Sequence, residues 1–221
     1  ESKNVAIGAN ALAVLNSDGD NFNVAVGYSS GALMTTGVQN TLIGGLAGDS
    51  LTTGTRNVAL GYQALNSEDA HGNNVAIGFA SLYAQDAGTD AYNTAVGYAS
   101  GINVTTGTSN TIIGGLAGDS LTTGSNNTAL GYASLSGDIA GADNVAIGFG
   151  AMSSTDNARA NVAIGYNTLT TLDYSSLTYS HNVAVGFEAG KTITTGVQNT
   201  IIGGLAGDAL TIGNNNIAIG Y

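Results

Sequence analysis

Three groupings of side chains in this chain have types that could do chemistry. Asp49, Asp119 and Asp208 close near-identical segments, GGLAGDS at 44–50 and 114–120 and GGLAGDA at 203–209. Carboxylates beside glycine turns are hard oxygen ligands of the kind calcium takes. His71 and His181, the only two histidines, could each serve as a general base near neutral pH. Threonine pairs at 35–36, 52–53, 105–106 and 122–123 could present hydroxyls in a flat array, as an ice-binding surface does. There is no cysteine, which removes disulfides and thiolate metal sites.

Each chemistry needs a spacing that the chain does not provide. Calcium would need the aspartate turns side by side, whereas their copies stand 70 or 89 residues apart. Asp49, Asp119 and Asp208 therefore read as turn residues, which hydrogen-bond their own backbone. His71 and His181 lie in polar stretches with no evident partner, so both read as solvated loop residues. The threonine pairs skip turns of the repeat. No catalytic, cofactor-binding or metal-ligating residue is assigned, no cofactor is expected, and the chain reads as non-enzymatic.

What would have to position any such group is a repeat. Thirteen asparagines, from Asn4 to Asn216, open copies of a unit typified by Asn57-Val58-Ala59-Leu60-Gly61-Tyr62. Most copies are 17 residues apart, two are 19 and one is 21. A fixed period of this kind predicts a solenoid, in which a single turn cannot bury its own apolar face and so must stack. The fourth residue after Asn is glycine in every copy, which predicts a corner with positive φ or a very close backbone approach. The asparagines predict either a ladder of amides stacked turn on turn or ordinary turn residues tolerating left-handed φ.

Strand side chains alternate between faces, and the larger aliphatic residues, Val58 and Leu60, are expected to face the interior. The intervening residue is Ala in ten copies and is expected on the outer face. A size trade accompanies it. Ala25, Ala59 and Ala76 are followed three residues later by Tyr28, Tyr62 and Phe79, whereas Leu42, Ile112 and Ile201 are followed by Gly45, Gly115 and Gly204. The trade predicts that the two positions fill one shared outer space, and that a neighbouring subunit covers it. Segments such as LTTGTRN (51–57) predict a short strand ending in a tight turn. NSEDAHGN (66–73) and TLDYSSLTYSHN (171–182) are expected to protrude from one edge.

The composition fits this scaffold. Absent proline suits a continuous ladder, from which each proline would delete a donor. The formal net charge is −11, with only four basic residues, so a nucleic-acid partner is not expected. No apolar run approaches membrane-spanning length, and membrane insertion of this segment is not expected. Residues 1–221 read as a single β-solenoid domain, whose two ends look cut from a longer array.

The N-[VT]-A-[IVL]-G unit resembles the head repeat of trimeric autotransporter adhesins. Its longer form, as in NVALGYQAL (57–65) and NVAIGFASL (74–82), is similar to repeat regions of bacteriophage and related viral tail-fibre proteins. The resemblance covers essentially the whole chain. It implies an all-β fold, a left-handed parallel β-roll of about thirteen turns assembled as a homotrimer. It also implies an extracellular rod that spaces or presents a surface for a cell-surface receptor or glycan. The first expectation is a viral tail fibre used in host attachment, and the alternative is a bacterial surface adhesin or filament. Two weaker likenesses fit only in part. GGLAGDSLT resembles calcium-binding nonapeptide repeats with a displaced glycine, and Ile7-Gly8-Ala9-Asn10-Ala11 resembles one hexad of the left-handed β-helix acyltransferases, which use a histidine base.

Overall fold

A computed structural model describes residues 3–17 and 19–221. It is an all-β parallel solenoid. Thirteen three-residue strands, the first Val5–Ile7 and the last Ile217–Ile219, form one sheet in which each pairs with the copy before and after it. Every pairing is parallel and in phase with the repeat: Val58 stands opposite Val75, Ala59 opposite Ala76 and Leu60 opposite Ile77. The longer 161–182 turn adds a strand, Asp173–Tyr179, that pairs in parallel with Asp156–Arg159 of the preceding turn in a second, two-stranded sheet, interrupted by a register shift between Asp156 and Ala158.

The asparagines form the ladder. Each backbone N–H from Asn23 to Asn216 donates to the side-chain oxygen of the preceding repeat asparagine, as in Asn110 N to Asn93 Oδ1 at 2.8 Å and Asn127 N to Asn110 Oδ1 at 2.9 Å. In most copies the amide nitrogen then closes its own turn, as Asn110 Nδ2 does by donating to Gly124 O at 2.9 Å; Asn74 Nδ2 is an exception, with no partner. The left-handed φ falls instead on the residue before the asparagine, Arg56 at 58° and Ser109 at 59°. Both physical reasons for the invariant glycine apply. Gly61 has φ 142°, and a Cβ there would lie 2.3 Å from Gly78 O.

The two faces of the strand are the reverse of those expected. Ala59 is wholly buried, while Val58 is half-buried and Leu60 is 44% exposed. The interior is narrow, and its volume comes from the opposite wall, from Leu65, Leu82 and Leu135, which leaves room at the strand only for Ala. The size trade is therefore internal. Where the strand carries a large residue the opposite wall carries glycine: a Cβ on Gly48 would lie 2.9 Å from Leu42 Cδ2, and one on Gly207 would lie 3.1 Å from Ile201 Cδ1. Ala59 and Tyr62 point to opposite sides and share no space. Gly45 answers to a different neighbour, since Tyr62 of the next turn lies over it, 3.4 Å from where a Cβ would be.

Two local expectations also change. The Thr-Thr-Gly segments are bends and not strands, held by hydrogen bonds between turns such as Thr35 N to Thr52 O at 2.8 Å. Residues 66–73 do not protrude: they fill an ordinary 17-residue turn, with Glu68 wholly buried. In 171–182 the added length is strand, with Tyr174 buried and Ser175, Ser176 and Leu177 exposed.

Candidate functional site: an uncharged aromatic face and an acidic cluster

The outward side of the thirteen-stranded sheet runs the length of the stack as one continuous surface. Three positions of each turn face out there: the residues one, three and five places after the repeat asparagine. None of them is charged in any copy. The first is Val, Thr or Ile, since β-branched residues pack well on a pleated strand; the second is Ile, Leu or Val; the third is mostly aromatic.

The aromatics stack up the rod. Tyr62, Phe79 and Tyr98 form one column, with centroids 5.8 and 5.3 Å apart. Tyr132, Phe149, Tyr166 and Phe187 form another, with spacings of 5.4, 5.4 and 5.2 Å and ring planes within 18° of parallel. The strand spacing of about 4.8 Å imposes this contact, and offset stacking of rings at such distances is favourable. Gly115 separates the two columns. The rings stay open to solvent on their outer edge: Phe79 is 46% exposed and Phe149 51%.

The chemistry-bearing residues fall elsewhere. Asp49, Asp119 and Asp208 lie in turns separated by three and then four others, and the structure does not bring them together. Burial pushes the carboxyls of Asp49 and Asp119 above their ordinary range. The threonine hydroxyls are engaged along the axis, Thr52 Oγ1 donating to Asp69 O and Thr122 Oγ1 to Ile139 O, both at 3.0 Å. His181 is exposed and its ring stacks on Tyr179 at 5.9 Å. It lies six turns from His71, so the two histidines belong to separate environments.

His71 is not a solvated loop residue. Its ring nitrogen Nδ1 lies 3.5 Å from Glu68 Oε1, and its backbone N–H donates to the same oxygen at 3.1 Å. Asp69, from this turn, and Asp86, from the next, complete a group whose four candidate ligand atoms all lie within 4.8 Å of one another. Among the described residues it is the one such group. Burial raises the Glu68 carboxyl, the neighbouring Asp86 and Asp69 raise it further, and the His71 N–H and ring oppose them. Sequence reasoning missed this group, although a signal was present: Asp86 is Asp69 advanced by one 17-residue period, which places the two at the same point of consecutive turns.

No family model, no curated protein and no solved structure matches the chain.

Proposed function

We propose that this chain is the shaft of an extracellular fibre, a rigid rod assembled as a homotrimer through the aromatic face, with a viral tail fibre as its setting. The observation that carries this reading is the uncharged face itself. Thirteen strands at about 4.8 Å give a strip roughly 60 Å long, and the four residue steps from the first to the third outward position give it a width of at most about 13 Å. A strip on the order of 800 Å² is what one partner contributes to a stable interface. Monomeric soluble proteins seldom leave so large an apolar surface bare. The occupant must match rows of aromatic and aliphatic side chains that recur with the strand spacing along the whole rod. A surface with the same repeat meets that requirement, and a second and third copy of this chain carry it. A rotational arrangement about an axis parallel to the rod closes the assembly.

A shaft needs rigidity and resistance to solvent, and it needs no reactive group. That fits a chain whose repeat positions serve the asparagine ladder, the glycine corners and the narrow core. Sedimentation equilibrium of the chain tests the assembly: three copies are expected, and a stable, folded monomer at micromolar concentration would overturn it. Tyr166→Lys, at the centre of the longer column, is expected to shift that equilibrium toward monomer while leaving the fold intact.

A further inference from the structure

We propose that Glu68, Asp69, His71 and Asp86 bind one divalent transition-metal cation per chain, with zinc the best fit to their donor set. The inference starts from a buried group that the protein does not satisfy. The side chain of Glu68 is 0% exposed. One of its oxygens accepts the His71 N–H, and the other, Oε2, has no partner, nor does the buried Nδ1 of His71. Buried polar atoms are almost always paired, and an exception calls for an explanation such as an ion. A neutral, protonated Glu68 would remove the charge and still leave Oε2 without a partner.

The charge balance points the same way. Three carboxylates converge here, and among the described residues no lysine or arginine pairs with any of them. Buried charges in proteins are paired or coordinate metals. A divalent cation would neutralise most of this charge and engage both idle atoms at once. In a tetrahedral zinc site, ligands at 2.0–2.2 Å from the ion stand about 3.3–3.6 Å from one another. Donor atoms already within 4.8 Å of one another reach that separation by closing about 1 Å, a shift within the rotamer freedom of the exposed Asp69 and Asp86 side chains.

The donor types select the metal. Calcium and magnesium take oxygen ligands, whereas an imidazole among carboxylates suits zinc and its neighbours in the first transition row. Glu68 is buried, His71 half-buried, and Asp69 and Asp86 exposed, so the group reaches from the interior to solvent. Because Asp86 belongs to the following turn, the ion would bridge two turns of the stack. The comparison with Asp138 sharpens the assignment. It occupies the position of Glu68 in another turn and is also buried with an unpartnered oxygen, but no histidine or pair of further carboxylates groups with it.

The test is independent of the trimer proposal, since it counts metal per chain. Protein stripped with a chelator and desalted is titrated with zinc chloride by calorimetry, and its melting temperature is followed with and without the metal. One saturable site per chain and a higher melting temperature with zinc are expected. Glu68→Gln keeps the acceptor for His71 N–H, and glutamine already stands at this position in the next turn as buried Gln85, so the variant retains the fold. Glu68→Gln and His71→Ala should each weaken zinc binding at least tenfold, and Asp86→Asn, exposed and free of packing, several-fold. Calcium chloride should bind wild type at least tenfold more weakly than zinc. Absence of a saturable site, zinc affinity unchanged in Glu68→Gln and His71→Ala, or calcium bound as tightly as zinc would each overturn the proposal.

Discussion

Removing one amide from the asparagine ladder should destabilise the rod well beyond the loss of a single hydrogen bond. Asn110 is 1% exposed. Its side chain donates to Gly124 O at 2.9 Å and accepts from Asn127 N at 2.9 Å and Asn127 Nδ2 at 3.1 Å. Asn110→Ala keeps its own backbone bond to Asn93 but leaves the Asn127 N–H and the Gly124 carbonyl buried without these partners. An orphaned buried group costs about 1–3 kcal/mol, so the two together come to roughly 2–6 kcal/mol. Asn110→Asp separates donor from acceptor. It keeps the acceptor for Asn127 N but turns a carboxylate oxygen toward the Gly124 carbonyl, so near neutral pH it should cost more than alanine. Burial would raise that carboxyl's folded pKa above its unfolded value of about 3.9. The folded state would then hold the proton more tightly, and the variant should recover stability as pH falls. Asn103→Ala, at an exposed site with one hydrogen bond, is the control and should cost less than about 1.5 kcal/mol. Urea unfolding followed by circular dichroism would give the values. An Asn110→Ala protein within about 0.5 kcal/mol of wild type would refute the ladder as a source of stability.

Two further perturbations test the corner and the core. Gly61→Ala places a Cβ 2.3 Å from Gly78 O at φ 142°, where only backbone could give way, and should cost at least about 3 kcal/mol. Gly19→Ala, with nothing within 4 Å, should stay within about 0.5 kcal/mol in the same denaturant assay. The buried carboxyl of Asp138 is pushed up to about 6, chiefly by burial, from 3.8 in the unfolded chain. The folded state thus holds this proton more tightly, and stability should fall as pH rises through that window, by at most about 3 kcal/mol. Asp138→Leu, which installs the residue found at this position in Leu121 and Leu172, should remove that part of the slope; identical pH dependence in the two proteins would refute the assignment.

The period and the glycine corner were legible because each recurs along the whole chain, and repetition turns a weak local preference into a constraint; for the asparagines the same recurrence allowed a ladder or a turn residue, and the hydrogen bonds decide for the ladder. The facing of the strands was not legible. A three-residue strand such as Val58-Ala59-Leu60 offers one alternation, and its apolar pattern reads equally well in either direction. What decides it is the width of the cavity, set by Leu65 and Leu82 on the far wall, which the local pattern does not contain. The same blind spot produced the misplaced size trade: Leu42 answers to Gly48 six residues on, inside, and not to Gly45. The Glu68 cluster was hidden because its members were weighed within one turn, whereas Asp86 joins it from the next.

The ladder's hydrogen bonds run along the rod, from each turn to its neighbour, and this gives the structure a direction of weakness. Lateral bending engages many turns at once, and the stacked rings and the amide column resist it together. An end-to-end pull on one chain would load the bonds of the terminal turn alone. That turn would peel away before the next felt any force, so the chain would unwind like thread from a spool. A 17-residue turn spans about 58 Å when extended, at roughly 3.4 Å per residue, but only about 4.8 Å of rod. Each turn released would thus lengthen the chain more than tenfold locally. A single strand of this design is stiff as a beam and weak as a rope, and bundling several copies side by side is the remedy its geometry allows.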